Sequence, residues 1–233
     1  CASGNHGIGD AAALIRRGAA DVMVAGGTEA GVTPFCMAGL DATRALSRRN
    51  AAPERASRPF DVDRDGFVSA EGAGVVVLES LEGAMARGAD IICELAGYGA
   101  SSDAYHLTEP DPSGRWQVAA MRMALEKGGL RPEDVDYVNA HGTSTSLGDS
   151  AEVAAGLSVF GDHAGASSGG SLIMSSTKSM IGHCLGASGA VESIACVHAV
   201  RDGIIAPTIN LENPDEGFDL NLAPGDARER PTQ

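Results

Sequence analysis

Apolar residues recur at helical spacing at the start of the chain. Ile8, Ala11, Ala12 and Ile15 predict a helix, and Gly18 is its C-cap. Asp21–Gly27 and Gly72–Leu78 are near-continuous apolar runs, each predicting a buried strand. A short helix over Leu81–Arg87, ended by Gly88, leads into a further predicted strand over Ile91–Leu95. From Gly97 to Tyr105 the chain turns polar, marking a boundary between two parts, residues 1–96 and 97–233. Trp116–Lys127 is amphipathic and closes at Gly128-Gly129. Val135 and Val138, with Tyr137 between them, predict a short buried strand that hands over directly to His141. Glu152–Phe160 reads as helix, Gly165–Ser171 as a flexible surface insertion and Leu172–Thr177 as strand. An apolar helix then runs to about Val200, and the polar tail from Pro207 carries little legible chemistry. Helices alternating with strands give an α/β class.

Composition narrows the picture. Glycine is abundant, at 31 residues, and aromatics make up 4%, which points to tightly packed strand–helix junctions rather than aromatic recognition surfaces. A net charge of −14 argues against general binding to nucleic acid or to an anionic membrane, both of which need a basic face. No apolar run approaches the roughly 20 residues of a membrane span. No signal peptide is visible, and the chain starts at Cys1 rather than Met, so an upstream segment is expected. The cysteines at 1, 36, 93, 184 and 196 include no C-x-x-C pair, so neither a zinc knuckle nor a disulfide framework is expected. A reduced, cytoplasmic setting follows. Against the acidic background, Arg44, Arg48, Arg49, Arg55 and Arg58 stand close together with Glu54 as the single acid. They fit either an exposed loop of ordinary surface arginines or a docking patch for an acidic partner.

Three side chains carry candidate chemistry. Cys1 stands at or just before a helix N-terminus, where exposed N–H groups and the helix dipole favour thiolate over thiol. The glycines at 4, 7 and 9 have the wrong spacing for a dinucleotide loop and no strand before them; they admit the helix to a crowded interior. His141 lies where a strand meets a loop, the usual place for ligands in α/β proteins. Gly142 permits close approach, and Thr143 and Thr145 present two hydroxyls on one side of an extended segment, suited to gripping a polar substrate arm. A lone histidine in such a place is more often structural, but His183 stands in a second glycine context with Lys178 five residues ahead of it. A cysteine paired with histidine suggests nucleophilic catalysis on an acyl group. A hydrolase using Cys1 as an N-terminal nucleophile, with its own α-amine as base, is the rival reading, and it leaves both histidines without a role. The segments opening at Cys1 and at His183 share a character: small residues, an apolar helix, then Arg-Arg-Gly18 or Arg-Asp-Gly203 before an apolar stretch. That echo suggests a duplicated α/β unit.

Asn139-Ala-His-Gly-Thr-Ser-Thr145, Ser175-Ser-Thr-Lys-Ser-Met-Ile-Gly-His183 and Pro207-Thr-Ile-Asn-Leu-Glu-Asn-Pro-Asp-Glu216 resemble the β-ketoacyl-acyl carrier protein synthases, in particular the chain-elongating type II enzymes. Ser57-Arg-Pro-Phe-Asp61 and Arg64-Asp-Gly-Phe-Val-Ser-Ala-Glu-Gly-Ala-Gly74 fit the same family. The resemblance implies a thiolase-like fold, layered α-β-α-β-α with two pseudo-duplicated halves, usually a homodimer. It implies that Cys1 accepts the acyl group, that His141 and His183 serve decarboxylation, and that Lys178 supports them with Glu192 as its ion-pair partner. Thr143, Thr145 and Thr108 resemble residues that hydrogen-bond a pantetheine arm, and Arg44 one that docks an acidic carrier protein. No cofactor or metal is implied; the partners are acyl- and malonyl-loaded acyl carrier protein.

The pairing of two histidines separates this pattern from the initiating synthases, which pair His with Asn, and the retained Cys1 separates it from non-catalytic partner subunits. Measured against the family, the chain is expected to be an internal piece, incomplete at both termini, and the piece alone to be inactive and prone to aggregate. Leu40 stands where the elongating enzymes often carry an aromatic near the acyl pocket.

Overall fold

In the computed structural model, residues 1–232 are described. The first periodic segment forms α1 (Ser3–Arg16), which buries Gly4, Ile8, Gly9, Ala11 and Ala12 on one face. The backbone of Gly18, at φ 71°, takes the left-handed form that ends the helix. Strands β1 (Val22–Glu29) and β2 (Gly72–Glu79) pair antiparallel, in register from Val22 opposite Glu79 to Glu29 opposite Gly72. Between them lies α2 (Pro34–Ala42), capped by the Thr33 hydroxyl, which accepts from the Cys36 N–H. That Thr-Pro start is a legible helix signal that the hydrophobic pattern alone passes over.

The two strands are not buried on both sides as their composition predicts. One face packs against α1 and against α7 (Ser188–Asp202). On the other, Val22, Val24, Val75 and Val77 are 50, 68, 60 and 66% exposed, because no described layer covers it. The expected strand over Ile91–Leu95 is also absent. After α3 (Leu81–Ala86) the chain runs without regular structure from Asp90 to Asp111, Ile91 and Ile92 are exposed, and no strand among the described residues offers a ladder. The guanidinium of Arg16 instead donates to the carbonyls of Leu95 and Ala96, at 2.5 and 3.0 Å.

The second half centres on a core of Val153, Phe160, Leu172, Met174 and Leu222, joined by Phe60 from the first part and packed between α4 (Arg115–Gly128), α5 (Ser146–Phe160) and a parallel pair. That pair is β3 (Tyr137–Asn139) and β4 (Ile173–Ser175), the latter shorter than the run from Leu172 to Thr177 suggests. Helix α5 begins six residues earlier than its apolar periodicity, because its first turn carries the buried Asp149. Helix α6 is the short turn Lys178–Ile181, and β5 (Ile204–Ile205) pairs with β6 (Arg228–Glu229).

Two further expectations change. The Gly165–Ser171 insertion is exposed at its tip but tied down: the N–H of Ser167 donates to Asp219 Oδ1 at 2.8 Å, and the Gly170 N–H to the Gly165 carbonyl at 2.9 Å. The tail after Pro207 is scaffold rather than bystander. Buried Thr208 accepts from the Ser176 N–H at 3.1 Å, and the N–H groups of Glu212 and Asn213 both donate to buried Asp61 at 2.8 Å.

Candidate active site

Two packing facts bring distant side chains together. First, α1 and α7 meet at their N-terminal ends with almost no side chain between them: a Cβ on Gly4 would lie 2.7 Å from the Ala190 backbone nitrogen. Cys1 precedes α1, and His183 precedes α7 by five residues, so the meeting of the helices places thiol beside imidazole. His183 Nε2 is 3.1 Å from Cys1 Sγ. Second, β3 and β4 run parallel, so the loops leaving their carboxyl ends emerge side by side. One carries His141 and the other Lys178. The rings of His141 and His183 meet edge to face with centroids 5.2 Å apart, and the ligating atoms of Cys1, His141 and His183 all lie within 4.8 Å of one another.

The backbone around the site is fixed from several directions. His183 donates its N–H to the Val68 carbonyl at 2.7 Å and accepts from the Ala70 N–H at 3.0 Å, while the Phe67 ring stands edge to face against its imidazole. The carboxylate of Glu152 accepts from the N–H groups of His141 and Gly142, at 2.6 and 2.7 Å. Gly142, at φ 34°, has no room for a side chain: a Cβ there would stand 2.5 Å from Ser176 Cβ. Lys178 is buried, 1% exposed, and its ammonium forms an ion pair with Glu192. The Asp149 carboxylate accepts from the Phe60 N–H at 2.8 Å and the Ser144 N–H at 3.2 Å, with Arg64 Nε at 3.6 Å.

Both imidazoles are held neutral. Burial, reinforced by the positive charge of Lys178, lowers His183 to about 3. The Leu185 N–H donates to its Nδ1 at 3.2 Å, so Nδ1 is the acceptor and Nε2 carries the proton directed toward Cys1. His141 keeps accessible surface, yet the surrounding protein desolvates its ring, and that, with Lys178 and His183 adding to it, holds it well below the ordinary imidazole value. Its ring nitrogens have no hydrogen-bond partner among the described residues, whereas Glu192 and Asp149 are pushed by burial up to about 7.

Comparison with known families decides what this arrangement belongs to. The description "Beta-ketoacyl synthase, N-terminal domain" matches residues 1–84, and "Beta-ketoacyl synthase, C-terminal domain" matches residues 92–212. The chain belongs to the β-ketoacyl synthase family. A "3-oxoacyl-[acyl-carrier-protein] synthase 2" of Coxiella burnetii (strain RSA 493 / Nine Mile phase I) is 53% identical over 98% of this chain and 54% of the relative. The mitochondrial 3-oxoacyl-[acyl-carrier-protein] synthase of Arabidopsis thaliana is 52% identical over 96% of this chain and 48% of its own length. The chain thus spans about half the length of the curated relatives it matches. A ketosynthase solved with a type II PKS acyl-carrier protein and bound to the hexaketide superposes over the whole chain with a TM-score of 0.95 at 39% identity, covering 56% of that structure. A β-ketoacyl synthase of Burkholderia phymatum STM815 gives 0.92 at 40% identity, covering 54% of it. The fold is the thiolase-like α/β fold of the ketosynthases.

Other residues named from the sequence of this β-ketoacyl synthase chain fall at different distances from the centre. Thr143 is buried and its hydroxyl lies 2.9 Å from that of Thr145, directly beyond His141. Thr108 sits in an exposed loop where its N–H donates to His106 Nδ1, and among the described residues no hydrogen bond joins it to the cluster. Neither reading of the arginine run holds as a whole. Arg58 is buried and bonded to Asp61, Arg55 pairs with Glu212, Arg48 with Asp41, and Arg49 donates to the Asp63 carbonyl. Of the five, Arg44, exposed in the turn after α2 at φ 59°, is the one whose guanidinium has neither an ion pair nor a hydrogen bond among the described residues. Sequence reasoning missed Glu152, Asp149 and Ser188, whose hydroxyl lies 2.9 Å from His183 Nδ1. For the two acids a signal existed: they stand at i and i+3 in the first turns of a helix directly after the His141 motif, where an anion caps N–H groups.

Proposed function

We propose that this chain carries the reacting centre of a 3-oxoacyl-acyl carrier protein synthase, which elongates an acyl chain by decarboxylative condensation with malonyl-acyl carrier protein. The observation that carries the reading is the gathering of one exposed thiol and two neutral imidazoles within 4.8 Å. Cys1 sulfur attacks the carbonyl of the incoming acyl thioester; the carrier's C–S bond breaks, and its sulfur takes up the proton that Cys1 loses. The N-terminus of α1 and the Nε2–H of His183 both favour negative charge on the sulfur. In malonyl carrier protein the bond to the carboxylate then breaks, carbon dioxide leaves, and the electron pair passes into the thioester as an enolate. Two neutral imidazoles each present an N–H to that oxyanion, which an acceptor-only group would not do. The enolate carbon attacks acyl-Cys1, the C–S bond breaks with its electron pair leaving on the Cys1 sulfur, which regains a proton from solvent, and the 3-oxoacyl product departs on its carrier.

Lys178, paired with Glu192, is in this reading a support for the histidines, and its charge helps to keep both rings unprotonated. Thr143 and Thr145 hold the pantetheine arm beside His141; Thr108 joins them only by movement of its exposed loop. Arg44, without an ion-pair partner among the described residues, is available to an acidic carrier protein. We assign residues 1–96 and 97–233 to the two thiolase-like halves and a cytoplasmic homodimer as the working form; the unpaired cysteines support the compartment, and the open apolar face of β1 and β2 supports further assembly. No helix among the described residues is long and apolar enough to cross a membrane. A hydrolase relying on the α-amine of Cys1 gains nothing from the histidine pair.

The test is malonyl decarboxylation by the complete enzyme. His141→Ala and His183→Ala are each expected to slow it by about a hundredfold or more, since one oxyanion donor is worth roughly 3 kcal/mol of barrier. Decarboxylation at the parent rate in either variant contradicts the assigned role.

A further inference from the structure

The donor set of the reacting centre has a second chemistry. A thiolate and neutral imidazoles are the preferred ligands of Zn²⁺, which takes about 2.3 Å to sulfur and about 2.0–2.1 Å to nitrogen in tetrahedral geometry. Two such donors on one ion stand ~3.5 Å apart by that geometry. Here Cys1 Sγ and His183 Nε2 are 3.1 Å apart, and the His141 nitrogen closes a triangle of which no edge exceeds 4.8 Å. The His141 ring nitrogens have no hydrogen-bond partner among the described residues, so ligation would break no bond there. We propose that Cys1, His141 and His183 form a three-donor site for a thiophilic divalent cation of the Zn²⁺ class, and that occupancy closes the centre to acyl transfer.

Ligation is balanced without any redox partner. The Cys1 thiol releases one proton to solvent as the sulfur–metal bond forms. The proton of His183 passes from Nε2 to Nδ1, where the Ser188 hydroxyl, at 2.9 Å, accepts it in place of the bond from the Leu185 N–H. Water fills the fourth position. Lys178 opposes a cation here, but its charge is matched by the Glu192 carboxylate, and Glu152 lies directly behind His141. A net charge of −14 raises the local concentration of cations around the molecule.

The inhibitory half of this proposal rests on Cys1 being the acyl acceptor; the binding half rests on the donors alone. The experiment therefore has two readouts on the full-length protein. Titration with Co²⁺ alone is expected to produce a thiolate-to-metal charge-transfer absorption that Zn²⁺ displaces. The absorption is lost in Cys1→Ser and kept in Cys36→Ser, which removes an exposed thiol elsewhere. His141→Ala, the variant least able to disturb folding, weakens Co²⁺ binding by about tenfold or more, since loss of a ligand costs at least what loss of an outer-shell partner does. Absence of the absorption, its persistence in Cys1→Ser, or unchanged affinity in His141→Ala overturns the site. In the second readout, saturating Zn²⁺ blocks acylation of Cys1 and a chelator restores it; undiminished acylation overturns the inhibition. A protein that takes no acyl group even after chelation overturns the condensing-enzyme reading and the inhibition that depends on it, while the cobalt absorption still supports the metal site.

Discussion

His183 owes its protonation state to its neighbours rather than to its own chemistry. Burial and Lys178 set its pKa at about 3, and the Leu185 N–H fixes which nitrogen holds the proton. At pH 6 the ring is therefore expected to be neutral with Nε2 protonated, and the ring-nitrogen shifts of labelled protein report this directly; an imidazolium at that pH contradicts it. The consequence for stability has a definite sign. Because the folded pKa lies below the ordinary 6.5, protons are taken up first by the unfolded chain, so this residue's contribution is full above 6.5 and is lost as pH falls toward 3. Glu192 and Asp149 act in the opposite sense. Their folded values of about 7 exceed the ordinary 4.5 and 3.8, so their contribution is full at low pH and is lost as pH rises through 7.

At the scale of elements, the site is an outcome of where helices and strands end. The pairing of Lys178 on α6 with Glu192 on α7 ties the two elements that bracket His183, and both side chains are nearly inaccessible, at 1 and 11%. Removing one partner of such a pair costs about 3–5 kcal/mol, because the other is left in a medium that cannot solvate it. Lys178→Met is expected to lose about that much in urea unfolding. The double substitution Lys178→Met with Glu192→Gln is expected to cost less than the two singles summed. Simple additivity contradicts a coupled pair. Much of this scale was legible in advance. The apolar periodicity of Ile8, Ala11 and Ala12 locates α1, and Gly129 ends α4 with the left-handed backbone that its sequence position suggests. The motif residues Cys1, His141, His183 and Lys178 could be named, but not the helix crossing that joins them, since a contact between residues 4 and 190 has no local signature. The Ile91–Leu95 strand failed for a related reason: propensity describes a segment, whereas a strand exists only where a neighbour supplies a ladder.

The whole molecule presents an apolar sheet face that a soluble protein does not normally leave open. Val24 on β1 stands opposite Val77 on β2, and both are about two-thirds exposed. The 233-residue chain by itself is expected to self-associate and to bind a hydrophobic dye, with both effects reduced in Val24→Lys/Val77→Lys; sedimentation velocity of the two proteins checks this. A monodisperse, dye-silent parent chain contradicts it. The central claim is that Cys1 accepts the acyl group beside two neutral histidines. Its most direct test is the peptide mass of the full-length protein after incubation with acyl-loaded carrier protein. One acyl group is predicted on the peptide carrying Cys1, absent in Cys1→Ala and released by malonyl-loaded carrier protein; a peptide of unchanged mass, or acylation that survives Cys1→Ala, contradicts the account.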